Sequence, residues 1–183
     1  MNMTKREMRK IFLEARRGMS EEERQAASKV IAGRIAGMPE YQKASTVLIY
    51  RALWDETDMG PLTEHPGSAG KRFAYPRCVS DTEMVIMIPG RWRRGRYGIM
   101  EPEPSAFGEV APEDVDFVVC PGIAFDSGRV RLGAGGGYYD RFLPKCVNAT
   151  VIMAAYEIQR AAAIPREDTD IIMERIVTEK GIY

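Results

Sequence analysis

The stretch best equipped for chemistry runs Arg131-Leu132-Gly133-Ala134-Gly135-Gly136-Gly137-Tyr138-Tyr139-Asp140-Arg141, in which four glycines fall within five positions. Glycines at this density let a backbone turn tightly, take positive φ and bring bare N–H groups against an anion. The apolar spacing after them opens a helix at Tyr138, whose free N–H groups and positive dipole end would face the same anion. Arg131 and Arg141 flank the loop with charge suited to phosphate oxygens. Asp140 would repel a phosphate unless a cation sat between them, and Mg²⁺ is the usual mediator. The loop therefore reads as a cradle for a nucleotide polyphosphate and its metal, against the plainer alternative of a surface turn that caps a helix. No Lys-Ser/Thr follows the glycines, so this is not a Walker loop. No acidic residue ends a strand about 20 residues further on, so it is not the dinucleotide fingerprint either.

Other residues could serve the same site. Lys5 and Arg9, spaced i,i+4 on a predicted helix, share one side and could reach a phosphate together. Asp55-Glu56-Thr57-Asp58 follows an apolar run, and ligands in open α/β sheets sit beyond the carboxyl ends of strands. Glu56 suits a pterin-like ring, whose amide and amino N–H groups match one carboxylate; alternatively the acidic cluster caps a helix and complements its dipole. Arg91 to Arg96 crowds four arginines around Trp92 in a predicted loop. Such a loop could bind RNA, a phosphate or a polyglutamate tail, or stay solvated.

The elements that must position these groups follow from pattern. Thr4 with Glu7, and Ser20 with Glu23, form capping boxes. They open one helix over residues 5–18, with Met8, Ile11, Phe12 and Ala15 as its apolar positions. A second helix follows, with Ala27, Val30, Ile31 and Ile35 as its buried stripe, ended by Gly37 and Pro39. The basic residues Lys5, Arg6, Arg9, Lys10, Arg16 and Arg17 read mostly as a solvated face of the first helix. Residues 45–53, 71–77, 84–88, 114–120, 150–156 and 171–178 read as strands, that at 114–120 being the central one. Residues 60–71 hold a short or irregular helix at most, 98–102 a turn, and 123–128 a hairpin-like link into the glycine loop. Helices alternating with apolar strands predict a single α/β domain over residues 1–183 with a mostly parallel sheet.

Composition excludes several classes of function. The chain has 183 residues, 45% hydrophobic and 28% charged, with 26 Lys plus Arg balancing 26 Asp plus Glu. Zero net charge gives no bulk attraction to nucleic acid or acidic membranes, so neither is expected as a primary partner. Cys78, Cys120 and Cys146 lack metal-binding spacing and read as reduced thiols. The single His65 lies in a Gly/Pro-rich stretch, which argues against His-based catalysis or His-ligated zinc. No apolar run reaches the roughly 18 residues that span a bilayer, and the N-terminus is charged rather than signal-like; a cytoplasmic monomer is expected.

Taken in order, these features resemble the 5-formyltetrahydrofolate cyclo-ligase family. The resemblance covers nearly the full length. It rests on Lys5-x-x-x-Arg9, Glu56 after the first strand, Gly70-Lys71 leading to Pro76-Arg77, and Gly98-Ile99-x-Glu101-Pro102. It continues through Pro121-Gly122-x-Ala124-Phe125-Asp126 and the glycine run, then Asp170 with Ile176-Val177-Thr178-Glu179. It implies a three-layer α/β sandwich like those of ribose-phosphate isomerases and CoA transferases. It also implies ATP- and Mg²⁺-dependent conversion of 5-formyltetrahydrofolate to 5,10-methenyltetrahydrofolate, with ADP and phosphate released. By this analogy Lys5, Arg9 and Arg131, Leu132, Gly133, Ala134, Gly135, Gly136, Gly137, Tyr138 and Tyr139 hold ATP. Asp140 and Asp170 hold the metal, Arg51, Glu56 and Tyr138 lie against the folate, and Arg131 and Glu56 are the catalytic pair. The chain departs from the family pattern at Arg51, Met59, Ala134, Thr169 and Glu174. Two other readings stand beside this one: a non-catalytic nucleotide- or folate-binding regulatory module, and a sugar-phosphate isomerase. The second has no use for ATP and so none for Lys5, Arg9, Asp140 and Asp170.

Overall fold

The structure, a computed structural model, describes residues 3–95, 98–103, 108–167 and 170–183. Arg96, at the end of the arginine-rich stretch, and Thr169 lie outside the described residues. Helix α1 is Lys5–Arg17, capped by Thr4 and Glu7 through reciprocal hydrogen bonds. Helix α2 is Glu21–Ala36, capped in the same way by Ser20 and Glu23. The faces they bury differ from the predicted stripes. On α1 the buried residues are Met8 and Arg16, while Ile11 is exposed. On α2 they are Ala27, Ser28, Ile31, Ala32, Ile35 and Ala36, and Val30 is exposed. Pairs of adjacent residues recurring every four positions make this face, and Val30 lies off it.

Short helices α3 (Pro39–Lys43) and α4 (Gly60–Thr63) flank strand β1, Thr46–Leu48. His65 Nδ1 accepts from Gly67 N–H (3.0 Å) and caps the turn after α4. Strand β1 lies between β2 (Arg72–Cys78) and β7 (Phe117–Cys120). Beyond β7 come β10 (Thr150–Ala154) and β11 (Arg175–Val177), and every pairing from β2 to β11 is parallel. On the other side β3 (Met84–Met87) and β6 (Glu109–Val110) add antiparallel edges. Alternation with period two then separates two cores. Val47, Ile49, Phe117, Val119, Ile152 and Ala154 face the α2 side. Leu48, Val118, Cys120, Met153 and Ile176 face Phe125, Phe142 and Leu143. Both faces of the sheet are covered, which gives the sandwich and accounts for the unbroken apolar runs.

Several strands are shorter than predicted. After Leu48 one more ladder bond forms, Ile49 N–H to Ala74 O (3.0 Å), and the chain then leaves the sheet. The predicted loop at 91–96 and turn at 98–102 instead form a ribbon, β4 (Trp92–Arg94) against β5 (Met100–Pro102), with Trp92 edge-on to Tyr75. The predicted hairpin link is present as β8 (Ala124–Phe125) and β9 (Arg131–Leu132). One carboxylate holds it: Asp126 Oδ1 accepts from Gly128 N–H (2.9 Å) and Val130 N–H (3.1 Å), and Oδ2 from Ile164 N–H (2.9 Å). Asp126 is buried, so removing its side chain leaves these donors unsatisfied. Asp126→Ala is expected to lower unfolding stability by about 2–4 kcal/mol, read from urea transitions. A loss below about 0.5 kcal/mol would show that the carboxylate is not what holds the hairpin.

Candidate active site

The hairpin delivers Arg131 and the glycine run to a cavity of about 820 Å³ whose other wall is the first turns of α1. Of the residues singled out from sequence, Lys5, Arg9, Arg131, Leu132, Gly133, Gly135, Gly137, Asp140, Arg141 and Asp170 line it. Arg9 Nε donates to Gly133 O (2.8 Å). Gly135 has φ +104, and a Cβ there would stand 3.4 Å from Arg9 Cζ, so glycine serves both the turn and the approach of the arginine. Arg131 is buried, donating from Nη2 to Asp140 Oδ1 (3.1 Å) and from Nη1 to Pro121 O (3.0 Å), with its guanidinium over the Tyr139 ring. Its buried Nε has no partner among the described residues. A buried donor left unpaired is costly unless a ligand receives it. Helix α5, Tyr138–Phe142, does open where predicted, but it has only five residues. Its dipole is correspondingly weak, and anion binding falls to the cations and the loop's own N–H groups.

Lys5 Nζ meets Asp170 Oδ2 at 2.7 Å and Glu167 Oε1 at 3.1 Å. Burial alone would pull the Lys5 ammonium down, but hydrogen bonds to these carboxylates outweigh it and hold the group above its usual value. Burial would push Asp170 up; Lys5 and the Glu167 N–H outweigh it and hold the carboxyl below its usual value. Among the described residues no three His, Cys, Asp or Glu side chains gather as a metal cluster. Two carboxylates on one cavity do suit Mg²⁺, which is commonly held by one or two carboxylates plus substrate phosphates.

The remaining candidates are not on the lining of this cavity. Ala134 and Gly136 are exposed on the loop. Tyr138 OH donates to Ser80 O (3.0 Å), and its ring, under Arg141, borders a smaller neighbouring cavity. The Tyr139 hydroxyl is buried without a partner among the described residues, and burial lifts it well above the usual phenol value. Arg51 is exposed and stacks on Trp92 (5.4 Å). Glu56 caps its own turn, Oε2 accepting from Leu53 N–H (2.9 Å). Burial raises the Glu56 pKa, with Asp55 adding to it and the Leu53 N–H and Arg16 opposing. No disulfide links the three cysteines. Burial pushes Cys120 up to about 12 and Cys146 to about 11, so neither is a thiolate nucleophile near neutrality.

Comparison with known proteins is decisive at this point. The model of the 5-formyltetrahydrofolate cyclo-ligase family matches residues 1–179. The chain belongs to that family. A solved structure of Aquifex aeolicus 5,10-methenyltetrahydrofolate synthetase is 36% identical, with TM-score 0.84 over 98% of this chain and 92% of that one. The Mycoplasma pneumoniae 5,10-methenyltetrahydrofolate synthetase has the same fold at 23% identity, with TM-score 0.80 over 97% and 99% of the two chains. The 5-formyltetrahydrofolate cyclo-ligase of Escherichia coli K12 is 27% identical over 92% of this chain and 96% of its own. This is a ligase family, so the chain is an enzyme.

Off the cavity lining, the structure buries two groups that the sequence reading placed otherwise. Arg16, read as part of a solvated face, is 3% exposed, and Asp55, read as part of an acidic cluster that either faces a ligand or caps a helix, is 2% exposed and paired with it. The available signal was Arg16 eight positions after Met8, a spacing that can share the buried side of α1. A raised Glu56 pKa means that the folded protein holds that proton more tightly than the unfolded chain does. This favourable contribution is complete below the unfolded value and is lost as pH rises through the folded one, leaving a destabilising buried charge near neutrality. Glu56→Gln keeps the acceptor for Leu53 N–H and removes that charge. At pH 7 its Tm, without ligand, should exceed that of the unsubstituted protein, roughly 2–4 °C corresponding to each 1 kcal/mol. The gain should vanish below about pH 4. A Tm that falls at pH 7 would contradict the assigned burial.

Proposed function

We propose that this chain converts 5-formyltetrahydrofolate to 5,10-methenyltetrahydrofolate with consumption of ATP, as one domain over residues 1–183 acting on small molecules in the cytoplasm. What supports the reading most is a single cavity that gathers Lys5, Arg9, Arg131, Asp140, Asp170 and the glycine loop from opposite ends of the sequence. Such a set suits a polyphosphate and little else: three cations, turned backbone N–H groups, and two carboxylates that only a metal ion would reconcile with phosphate.

The chemistry asks for these groups. A formamide oxygen is a poor leaving group, and the carbon it holds resists attack. The formyl oxygen takes the γ-phosphoryl group, the bond to the β-phosphate oxygen breaks, and ADP leaves. N10 then bonds to the formyl carbon, the carbon–oxygen bond breaks, and phosphate departs with both electrons. N10 loses its proton and the N5–carbon–N10 bridge carries the positive charge. Phosphoryl transfer of this kind depends on positioning and charge neutralisation more than on a protein nucleophile. Arg131 and Arg9 stabilise the charge that develops on the transferred group, Lys5 holds the outer phosphates, and Glu56 accepts the paired N–H groups of the pterin edge. Asp140 and Asp170 would hold Mg²⁺, which would supply positive charge to offset that of the phosphates.

Absorbance at the methenyl-folate band is expected to rise only when 5-formyltetrahydrofolate, ATP and Mg²⁺ are all present. No rise, or a rise without ATP, would contradict the reading. Asp140→Asn should lower kcat/KM by about 10²-fold or more and raise the Mg²⁺ concentration for half-maximal rate. An unaltered Mg²⁺ dependence would remove Asp140 from the metal site.

A further inference from the structure

The last turn of α1 carries a buried cation that the phosphate chemistry does not use. Arg16 donates from Nε and Nη2 to Asp55 Oδ2 (3.3 and 3.0 Å) and from Nη1 to Gly122 O (3.3 Å). Its Nη1 also stands 3.9 Å from Glu56 Oε1. Gln159 fixes the Gly122 carbonyl from another side (2.7 Å), and the neighbouring Pro121 carbonyl is the one that Arg131 grips. One guanidinium thus stands where three pieces meet: the helix that carries Lys5 and Arg9, the turn that carries Glu56, and the turn that anchors Arg131.

A buried ion pair is a poor device for stability, because apolar residues of the same volume commonly do as well. A planar fork with fixed donor directions is a good device for register. Arg16 does not line the nucleotide cavity, and it shares the Asp55 carboxylate with Arg17 Nε (3.4 Å). The approach to Glu56 sets the buried guanidinium between two carboxylates, one of them on the side chain assigned to the folate.

We propose that Arg16 is a positioning residue for the folate, setting the Glu56 carboxylate in register with the Arg131 loop. The proposal rests on the reading above that Glu56 receives the pterin N–H edge. The ionisable groups near Glu56 are Arg16 from α1, Asp55 beside it, Tyr50 just beyond β1, Tyr139 from α5, and Tyr156 after β10, whose hydroxyl donates to Glu56 O (2.9 Å). Arg16 is the cation among them, and it opposes the effect of burial on Glu56. Without it the carboxyl stays protonated to higher pH, and a protonated carboxyl accepts a pair of N–H donors poorly.

The test is steady-state turnover from pH 6 to 9, varying 5-formyltetrahydrofolate and ATP separately, with Tm checked for each variant. Arg16→Gln should raise the folate KM about tenfold or more at pH 7, as for loss of a charge-assisted contact. The excess should shrink as pH rises, and the ATP KM should stay within about twofold. Arg16→Lys should return the pH profile of the unsubstituted protein. If Arg16→Gln does not fold, Arg16→Met with Asp55→Leu removes both charges together and is read by the folate-against-ATP KM split alone, since loss of Asp55 opposes the effect of losing Arg16 on the Glu56 carboxyl. Folate and ATP KM rising equally with an unchanged pH profile, or a folate KM left as it was, would overturn the proposal. Absence of turnover in the unsubstituted protein would instead remove the reading of Glu56, and this proposal with it.

Discussion

A guanidinium taken out of water must find acceptors, and Arg131 finds them on separate elements. Its bonds to Pro121 O and Asp140 and its stacking on Tyr139 tie the end of β7 and helix α5 to the hairpin that carries it. The glycine loop between Arg131 and Tyr138 is thereby clamped at both ends while its own residues stay free to turn. Asp126 performs the matching task on the backbone of the hairpin. Without these two polar anchors a stretch so rich in glycine would have little to set its shape, since each glycine sacrifices more conformational freedom on ordering than any other residue. A site built this way is positioned by the sheet yet made of loop, the usual division between scaffold and chemistry in α/β enzymes.

Charge in the cleft is held in pairs. Lys5 faces Asp170 and Glu167, and Arg131 faces Asp140. Each pair keeps a cation at the place where phosphate would go without leaving it uncompensated before the ligand arrives. On the proposed function a polyphosphate would compete with a carboxylate for Lys5 and for Arg131, and a divalent cation would give those carboxylates a new partner. Nucleotide and metal are on this account taken up together, because either one alone would leave like charges facing each other.

Much of this was legible in sequence because it depends on near neighbours. The capping boxes at Thr4 and Ser20 are i,i+3 signals, and the structure forms both. The strands Thr46–Leu48 and Phe117–Cys120 are buried on both faces, as continuous apolar runs in a parallel sheet are. Gly135 and Gly137 do take positive φ. The misreadings concern partners far along the chain. Arg16 looked solvated because its acceptors lie 39 and 106 residues away. The ribbon at Trp92 looked like a loop because its strands are stabilised by pairing with each other and by Tyr75, which neither shows alone. Strand ends ran long because apolar character continues after the ladder stops, as at Ile49 and Tyr50, which stay buried beyond β1.

The central claim is that the formyl oxygen itself accepts the phosphoryl group, which is what a cleft of cations and turned N–H groups without a protein nucleophile would serve. Turnover of 5-formyltetrahydrofolate labelled with ¹⁸O in the formyl group tests this directly, with mass analysis of the phosphate released. The account predicts one ¹⁸O in each phosphate formed. Unlabelled phosphate, with the label recovered in water, would contradict it.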